Sequence, residues 1–310
     1  GKATGMSQNQ FSARRLFRYA LFIDFIEKRS YPSRAEITDY LERAGVGVSE
    51  RTFMRTLKSL RETFKLYIEY DEKERGYFID QSLSPHHQSF KNFLKMAVTA
   101  DLVNFSLEDP AGLLQYVAFE EQGRLEGIEL LNPLLQAIRA KRYVNFAHIN
   151  YWQETRKPYR VKPLLLKEYF NRWYLVAALA GENEFRTFGL DRIQDLKIEN
   201  KHFNEQPHKD PRELFRHVIG LTYSRGEPEN ILIAAQAQHA RYLKSLPLHW
   251  SQKEVAEKDG EVLFRYHLIP NYEFQQKIFS MNTLVRVLEP QWLRDQYREV
   301  VKQMLENYQS

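Results

Sequence analysis

Between Ser49 and Lys65, five basic side chains (Arg51, Arg55, Lys58, Arg61, Lys65) outnumber two acidic ones (Glu50, Glu62). On a helix, Phe53, Leu57, Leu60 and Phe64 fall on one face at spacings of four, three and four. The opposite face then offers Arg51, Thr52, Arg55, Thr56 and Lys58. These residue types read duplex DNA. Arginine grips guanine with two hydrogen bonds, threonine meets a thymine methyl or a phosphate, and lysine neutralises phosphate. A second group lies between Lys141 and Glu199, where eleven basic residues stand against seven acidic ones, a balance of +4. There Arg160 and Lys162 share one strand face, Arg186 and Phe188 share another, and Arg192 stands at a strand entry. Arginines among aromatics suit a phosphate-bearing, stackable ligand such as an oligonucleotide or a nucleotide.

For the first group to read DNA, its helix must be held with the apolar face buried and its N-terminal end forward. Leu16, Ala20, Ile23 and Ile26 recur at helical spacing and open the scaffold. Ser33, with Glu36 three residues later, makes a capping box for a second helix running to about Ala44. Gly45-Val46-Gly47 makes the turn, and Ser49 caps the third helix. Two short strands, 66–70 and 76–79, flank the tip Asp71-Glu72-Lys73-Glu74-Arg75. Three helices, a tight turn and a hairpin are the parts of a winged helix-turn-helix, with Arg75 the wing residue expected near phosphate.

Residues 81–140 read as a mostly helical connector, broken near Ser84-Pro85 and Asp109-Pro110, with a stripe of Phe90, Phe93, Leu94 and Ala97. Such a connector suits dimer contacts. The second group needs strands, and the period changes to two at residue 141. Candidate strands are 143–149, 159–166, 173–180, 185–190 and 193–199, which suggest a small twisted barrel. Alternation separates Trp173, Leu175 and Ala177 from Tyr174, Val176 and Ala178, one set for the core and the other facing a groove. Residues 201–227 read as a looser linker with Pro207, Pro211 and a short helix near 213–218. From 228 to 310 the order β-α-β-β-α-β plus a last helix follows the ferredoxin-like plan.

At 310 residues the chain is long enough for two or three domains. With 43% hydrophobic and 27% charged residues it has a globular composition, and no apolar run is long enough for a membrane span. The absence of cysteine removes disulfides, thiolate-ligated metals and thiol catalysis, and a cytoplasmic setting is expected. A net charge of +5 permits nucleic-acid binding without establishing it. Neither a glycine-rich phosphate loop nor Gly-x-Ser-x-Gly occurs. His86-His87 has no placed carboxylate, His202 and His208 fall in the linker, and the adjacent Glu120-Glu121 point to different helix faces. No catalytic residue, metal site or cofactor is expected.

The run Val48-Ser49-Glu50-Arg51-Thr52-Phe53-Met54-Arg55-Thr56-Leu57 resembles the recognition helix of DeoR-type bacterial regulators. Arg51, Thr52 and Arg55 match its DNA-facing positions, while the usual Arg-Asp pair late in the helix is here Arg55-Thr56. Asn171-Arg172-Trp173-Tyr174-Leu175-Val176-Ala177, then Phe185-Arg186-Thr187-Phe188, then Leu190-Asp191-Arg192-Ile193, resemble the signature of WYL domains. Tyr159-Arg160-Val161-Lys162-Pro163-Leu164 resembles the strand that precedes it. The resemblance implies an Sm-like barrel that senses nucleic-acid-type effectors, single-stranded DNA in some members, with effector contacts at Tyr174, Arg186, Arg192 and Arg160. WYL regulators commonly end in a ferredoxin-like extension, whose late strand and Leu-Arg helix are matched by Val287-Leu288-Glu289-Pro290-Gln291-Trp292-Leu293-Arg294.

The expectation is an α+β multidomain chain. Residues 1–5 would be an expression remnant before Met6, 6–80 a winged helix-turn-helix, and 81–140 a helical connector. Residues 141–200 would form an Sm-like five-stranded small β-barrel, 201–227 a linker, and 228–310 a ferredoxin-like domain. The chain is expected to be a bacterial regulator that engages operator DNA and no membrane, a homodimer because one helix-turn-helix reads only a few base pairs, and a repressor as the leading expectation with activation left open. Its DNA contacts would be Ser49, Arg51, Thr52, Arg55, Thr56, Lys58 and Arg75, and a nucleic-acid-type effector would modulate them. Two rivals stand beside it: a ligand-independent repressor, as of a phage-defence locus, whose barrel is structural, and a nucleic-acid-processing enzyme.

Overall fold

The computed structural model describes residues 13–84, 86–105, 126–182, 184–204, 210–224 and 226–309. The expectations for residues 1–5, the Asp109-Pro110 break, the Glu120-Glu121 pair and His208 lie outside the described residues. The chain divides after Phe119 into two compact units. Helices and antiparallel sheets are mixed along it, the α+β class expected.

The first unit opens with helices α1 (Ala13–Lys28), α2 (Arg34–Arg43) and α3 (Glu50–Phe64). The hairpin β1 (Ile68–Asp71) and β2 (Gly76–Ile79) and helix α4 (His87–Phe105) follow. The helix ends sit where the capping residues put them. Ser33 Oγ accepts the Glu36 N–H at 3.3 Å while the Glu36 carboxylate accepts the Ser33 N–H at 2.8 Å. Ser49 Oγ accepts the Thr52 N–H at 3.3 Å and starts α3. Lys65, left-handed at φ 54°, stops it, and the Leu66 N–H closes back on the Leu60 carbonyl at 3.1 Å.

The apolar faces of these helices meet in one core. Phe22, Ile37, Leu41, Phe53 and Leu60 are all fully buried in it. Helix α4 joins that core through Leu94 and through Phe90, which stacks on Phe64 at 4.2 Å. The first part of the expected connector therefore packs on the first unit. Gly76 lets the hairpin seat against the α1–α2 turn, since a Cβ there would stand 1.8 Å from the Tyr31 carbonyl oxygen. The neighbouring Tyr77 N–H donates to the Pro32 carbonyl at 2.9 Å.

The second unit begins with α5 (Leu131–Arg139). Strands β3 (Arg142–Asn150), β4 (Thr155–Tyr169), β5 (Arg172–Leu179), β6 (Phe185–Gly189) and β7 (Ile193–His202) follow. They form one antiparallel sheet in the order β6-β5-β4-β3-β7. Its core holds Val144, Phe146, Val161, Leu175, Ala177 and Phe188, closed on one side by Leu134 and Ala137 of α5. The last part of the expected connector thus belongs to this sheet. Strand β4 is longer than the pattern suggested. Its polar start pairs with β3 (Asn150 opposite Thr155) and its end with β5 (Tyr169 opposite Arg172), and backbone pairing needs no apolar side chain.

A second antiparallel sheet holds β8 (Glu229–Gln236), β9 (Lys253–Lys258), β10 (Glu261–Leu268) and β11 (Val285–Glu289) in the order β11-β8-β10-β9. Helices α6 (Ala237–Ser245), α7 (Tyr272–Ser280) and α8 (Gln291–Asn307) accompany it. The segment expected to be a loose linker is docked where it is described. Glu273 of α7 is buried and accepts the Leu221 and Thr222 N–H groups at 2.9 Å each. Lys167 of β4 lies 4.8 Å above the Phe215 ring. No helix among the described residues is long and apolar enough to cross a membrane.

Candidate functional site

Helix α3 turns Phe53 and Leu60 into the core and leaves Arg51, Arg55 and Lys58 exposed. Thr52 is half-buried, and its Oγ1 receives the Ser49 hydroxyl at 3.1 Å, so both hydroxyls are occupied at the helix start. Lys58 lies 3.8 Å from Glu62 one turn on, a loose and exposed pair. Arg34 and Glu50 form an ion pair that ties α2 to the first turn of α3. One expectation is corrected. Thr56 is buried, and its hydroxyl donates to the Thr52 carbonyl at 2.9 Å. Position 56 is three residues after Phe53 and four before Leu60, so it lies on their stripe rather than opposite it. Arg75 is exposed at the hairpin tip in the left-handed region (φ 56°), and Asp71 holds that tip by accepting the Lys73 and Glu74 N–H groups.

The sequence reading missed the cations of α1. Burial first, and then the like charges of Arg15, Arg55 and Arg14, lower the Arg18 pKa from its ordinary value. Arg14, Arg15 and Arg55 thus lie near enough to Arg18 for their charges to act on it, and Arg14 donates to the Gly45 carbonyl at 3.2 Å. The basic run Arg14-Arg15 with Arg18 one turn later was the available signal.

In the second unit the expected effector residues form two groups. Arg160 and Arg186 line an open groove of about 430 Å³ together with Lys157, Tyr159, Leu179 and Glu182. Arg160 grips Glu199 with two hydrogen bonds, at 2.6 and 2.8 Å, and lies 4.0 Å over the Tyr143 ring. Those bonds, and a third from Asn145 at 2.7 Å, hold the Glu199 carboxyl down at about 2. Arg186 donates to Glu184 at 2.9 Å and to the Tyr159 hydroxyl at 3.2 Å.

Tyr174 and Arg192 form the other group. Tyr174 stands opposite Gly189 in the β5–β6 ladder, with Arg172, Arg192 and Asp191 close enough to act on its charge. Burial pushes its phenol up. Arg192 is held 3.7 Å from Asp191 and lies 5.9 Å from the Tyr151 ring. The division of β5 into a core set and a groove set does not hold. Leu175 and Ala177 are buried, and so are Val176 and Ala178 on the other face, while Trp173 on the first face and Tyr174 on the second are half-exposed. Arg186 and Phe188 differ in the same way, Phe188 buried in the core and Arg186 at its rim.

Comparison with known proteins assigns the class and then the family. Residues 129–198 match the WYL domain, and residues 227–305 match the WCX domain. The chain carries a WYL domain and a WCX domain, and the two matches bear out the resemblance to WYL-domain regulators in the order its motifs called for. Among solved structures, proteasome accessory factor B/C (PafBC) of Arthrobacter aurescens is similar at 16% identity and a TM-score of 0.30, over 100% of this chain and 52% of that one. This chain thus spans about half the length of that protein. A CRISPR Cas-related protein is similar at 12% identity and a TM-score of 0.41, over 98% of this chain and 88% of that one. No curated protein matches the chain.

Proposed function

We propose that the chain is a DNA-binding transcription regulator, a dimeric repressor whose operator binding is modulated by a nucleic-acid-type effector at the WYL domain. The observation that carries the DNA reading is that helix α3 exposes Arg51, Arg55 and Lys58 together, with Arg18 of α1 within electrostatic reach of Arg55. Arg51, Arg55 and Lys58 lie on a capped helix whose other face is core, and the hairpin β1–β2 follows. That arrangement supports a winged helix-turn-helix with α3 as the reading helix. The sheet order β6-β5-β4-β3-β7 supports the Sm-like reading of the WYL domain, and the order β11-β8-β10-β9 supports the ferredoxin-like one. A two-fold dimer would place two reading helices about 34 Å apart, or a multiple of that.

The test is fluorescence anisotropy on the promoter DNA upstream of its own gene, across a salt series, with and without short single-stranded oligonucleotides. The expected result is tight binding whose log–log salt slope is about −0.9 per phosphate neutralised, shifted by the oligonucleotide. A flat salt response sinks the DNA reading. One observation favours a second reading, a ligand-independent repressor. Each of the three expected effector arginines already has a carboxylate: Glu199 for Arg160, Glu184 for Arg186 and Asp191 for Arg192. Operator binding that no oligonucleotide changes would select it.

A further inference from the structure

Helix α3 exposes one large apolar side chain. Met54 is 52% exposed, whereas Phe53 and Leu60 are fully buried and Leu57 and Phe64 pack half-buried against the same core. It follows Phe53 by one residue, a rotation of about 100° that carries it off the core face. On a helix, positions three and four apart are surface neighbours. Met54 comes three after Arg51 and four before Lys58, while Arg55 comes four after Arg51 and three before Lys58. The four residues are therefore the corners of one exposed lozenge, three cations and a thioether. Arg61, seven residues after Met54 and so on its face, pairs with Glu69 of β1. Arg55 lies within electrostatic reach of Arg18 of α1. Met54 thus stands on the hairpin side of the lozenge and Arg55 on the α1 side.

A lone apolar side chain at a protein surface needs no explanation. Met54 differs in its place. Any duplex that meets Arg51, Arg55 and Lys58 must also cover Met54. It lies near the start of α3, the end that goes forward into the major groove. There the thioether loses its water without gaining a strong hydrogen bond. Base edges in that groove present polar donors and acceptors, and thymine adds its C5-methyl. A methyl against the flexible, unbranched Met side chain is the contact that turns this burial into affinity.

We propose that Met54 reads thymine: it packs on the C5-methyl of a thymine in the operator, one or two base pairs from the base that Arg51 contacts. The proposal rests on the reading of α3 as the DNA-reading helix, and it adds a base preference that the cations do not supply. The spacing fits. Three residues of helix rise about 4.5 Å, and successive base pairs of the duplex are about 3.4 Å apart.

The probe is the promoter fragment upstream of the protein's own gene, prepared twice, once with thymine and once with deoxyuridine throughout. Uracil pairs as thymine does and lacks only the methyl. Fluorescence anisotropy on the full chain, with excess unrelated duplex as competitor, reads the specific affinity for each. The wild type should bind the thymine fragment about fourfold or more tightly than the uracil one, the worth of a buried methyl. Met54→Ala should bind the thymine fragment about fourfold more weakly than wild type and should not distinguish the two fragments. Met54→Leu, which keeps an apolar side chain of similar size, should keep the preference. Met54 lies outside the core, so both variants should unfold at the wild-type temperature. Wild-type binding that ignores the methyls overturns the proposal and leaves the DNA reading standing. So does a preference that survives undiminished in Met54→Ala, because the methyl is then read elsewhere, as by Thr52. A wild type that binds neither fragment overturns the DNA reading, and the proposal with it.

Discussion

The two basic regions handle their charge in opposite ways. On α3, Arg51 and Arg55 stand in solvent, and Arg18 of α1 lies within electrostatic reach of Arg55. In the WYL sheet, Arg160, Arg186 and Arg192 each have a carboxylate within ion-pair distance. The first arrangement keeps like charges together, as a polyanion with many phosphates requires, because each neutralised phosphate releases its counterion. In the second each of these arginines is paired at rest, although the segment keeps its excess of +4. A net-charge count does not separate the two, because it ignores which cations are paired.

The largest expected effect comes from breaking the first region. Replacing Arg51 and Arg55 together by Ala should weaken operator binding about 100-fold or more, and should leave oligonucleotide binding unchanged in the same titration. Equal loss of both would mean that the two regions form one surface. Replacing Arg186 and Arg192 by Ala should weaken the oligonucleotide about 30-fold while operator binding without it moves less than about twofold. An operator response to oligonucleotide that persists in that variant would remove the arginines from the effector site.

Smaller effects separate reading from packing within α3. Thr56→Val should cost about 1 kcal/mol in denaturant unfolding, through the lost hydroxyl bond to Thr52, with operator affinity unchanged. Thr52→Val should do the reverse, weakening the operator about threefold, since its hydroxyl lies at the helix start. Glu199→Gln should release Arg160 and tighten the oligonucleotide about threefold, the modest gain expected when an exposed ion pair is removed. The Glu199 carboxyl is held below its free range, at about 2, so its pairing is complete above pH ~4.5 and is lost only as pH falls toward 2. The gain from that substitution should accordingly be the same at pH 5.5 and 7.5. A gain that changes across this window would mean that the Arg160–Glu199 pair titrates within it.

Much of the fold was legible because local rules and tertiary packing agree. Ser33 and Glu36 marked a helix start, Ser49 marked another, and both caps form. The period-two segments between 142 and 202 became one sheet, with no strand end shifted by more than four residues. The shifts fall where backbone pairing continues through polar side chains, as at Thr155 and Tyr169. The connector was misdivided for a different reason. Helices α4 and α5 both look amphipathic, and only packing assigns α4 to the helical core and α5 to the sheet. The site was legible in its arginines and not in its carboxylates. Glu199 lies 39 residues from Arg160 and meets it only through two strand pairings.

The sequence by itself determined the class of each segment and the residues with cationic chemistry, because helix caps, alternation and charge are local properties. It also carried the WYL motifs at their spacing. Tertiary structure alone decided which of those cations remain exposed and which are paired. It buried Thr56, brought Arg55 within electrostatic reach of Arg18, and set Glu199 against Arg160. The reason is geometric. A side chain's charge is written in its own residue, whereas its burial and its neighbours come from segments tens of residues away.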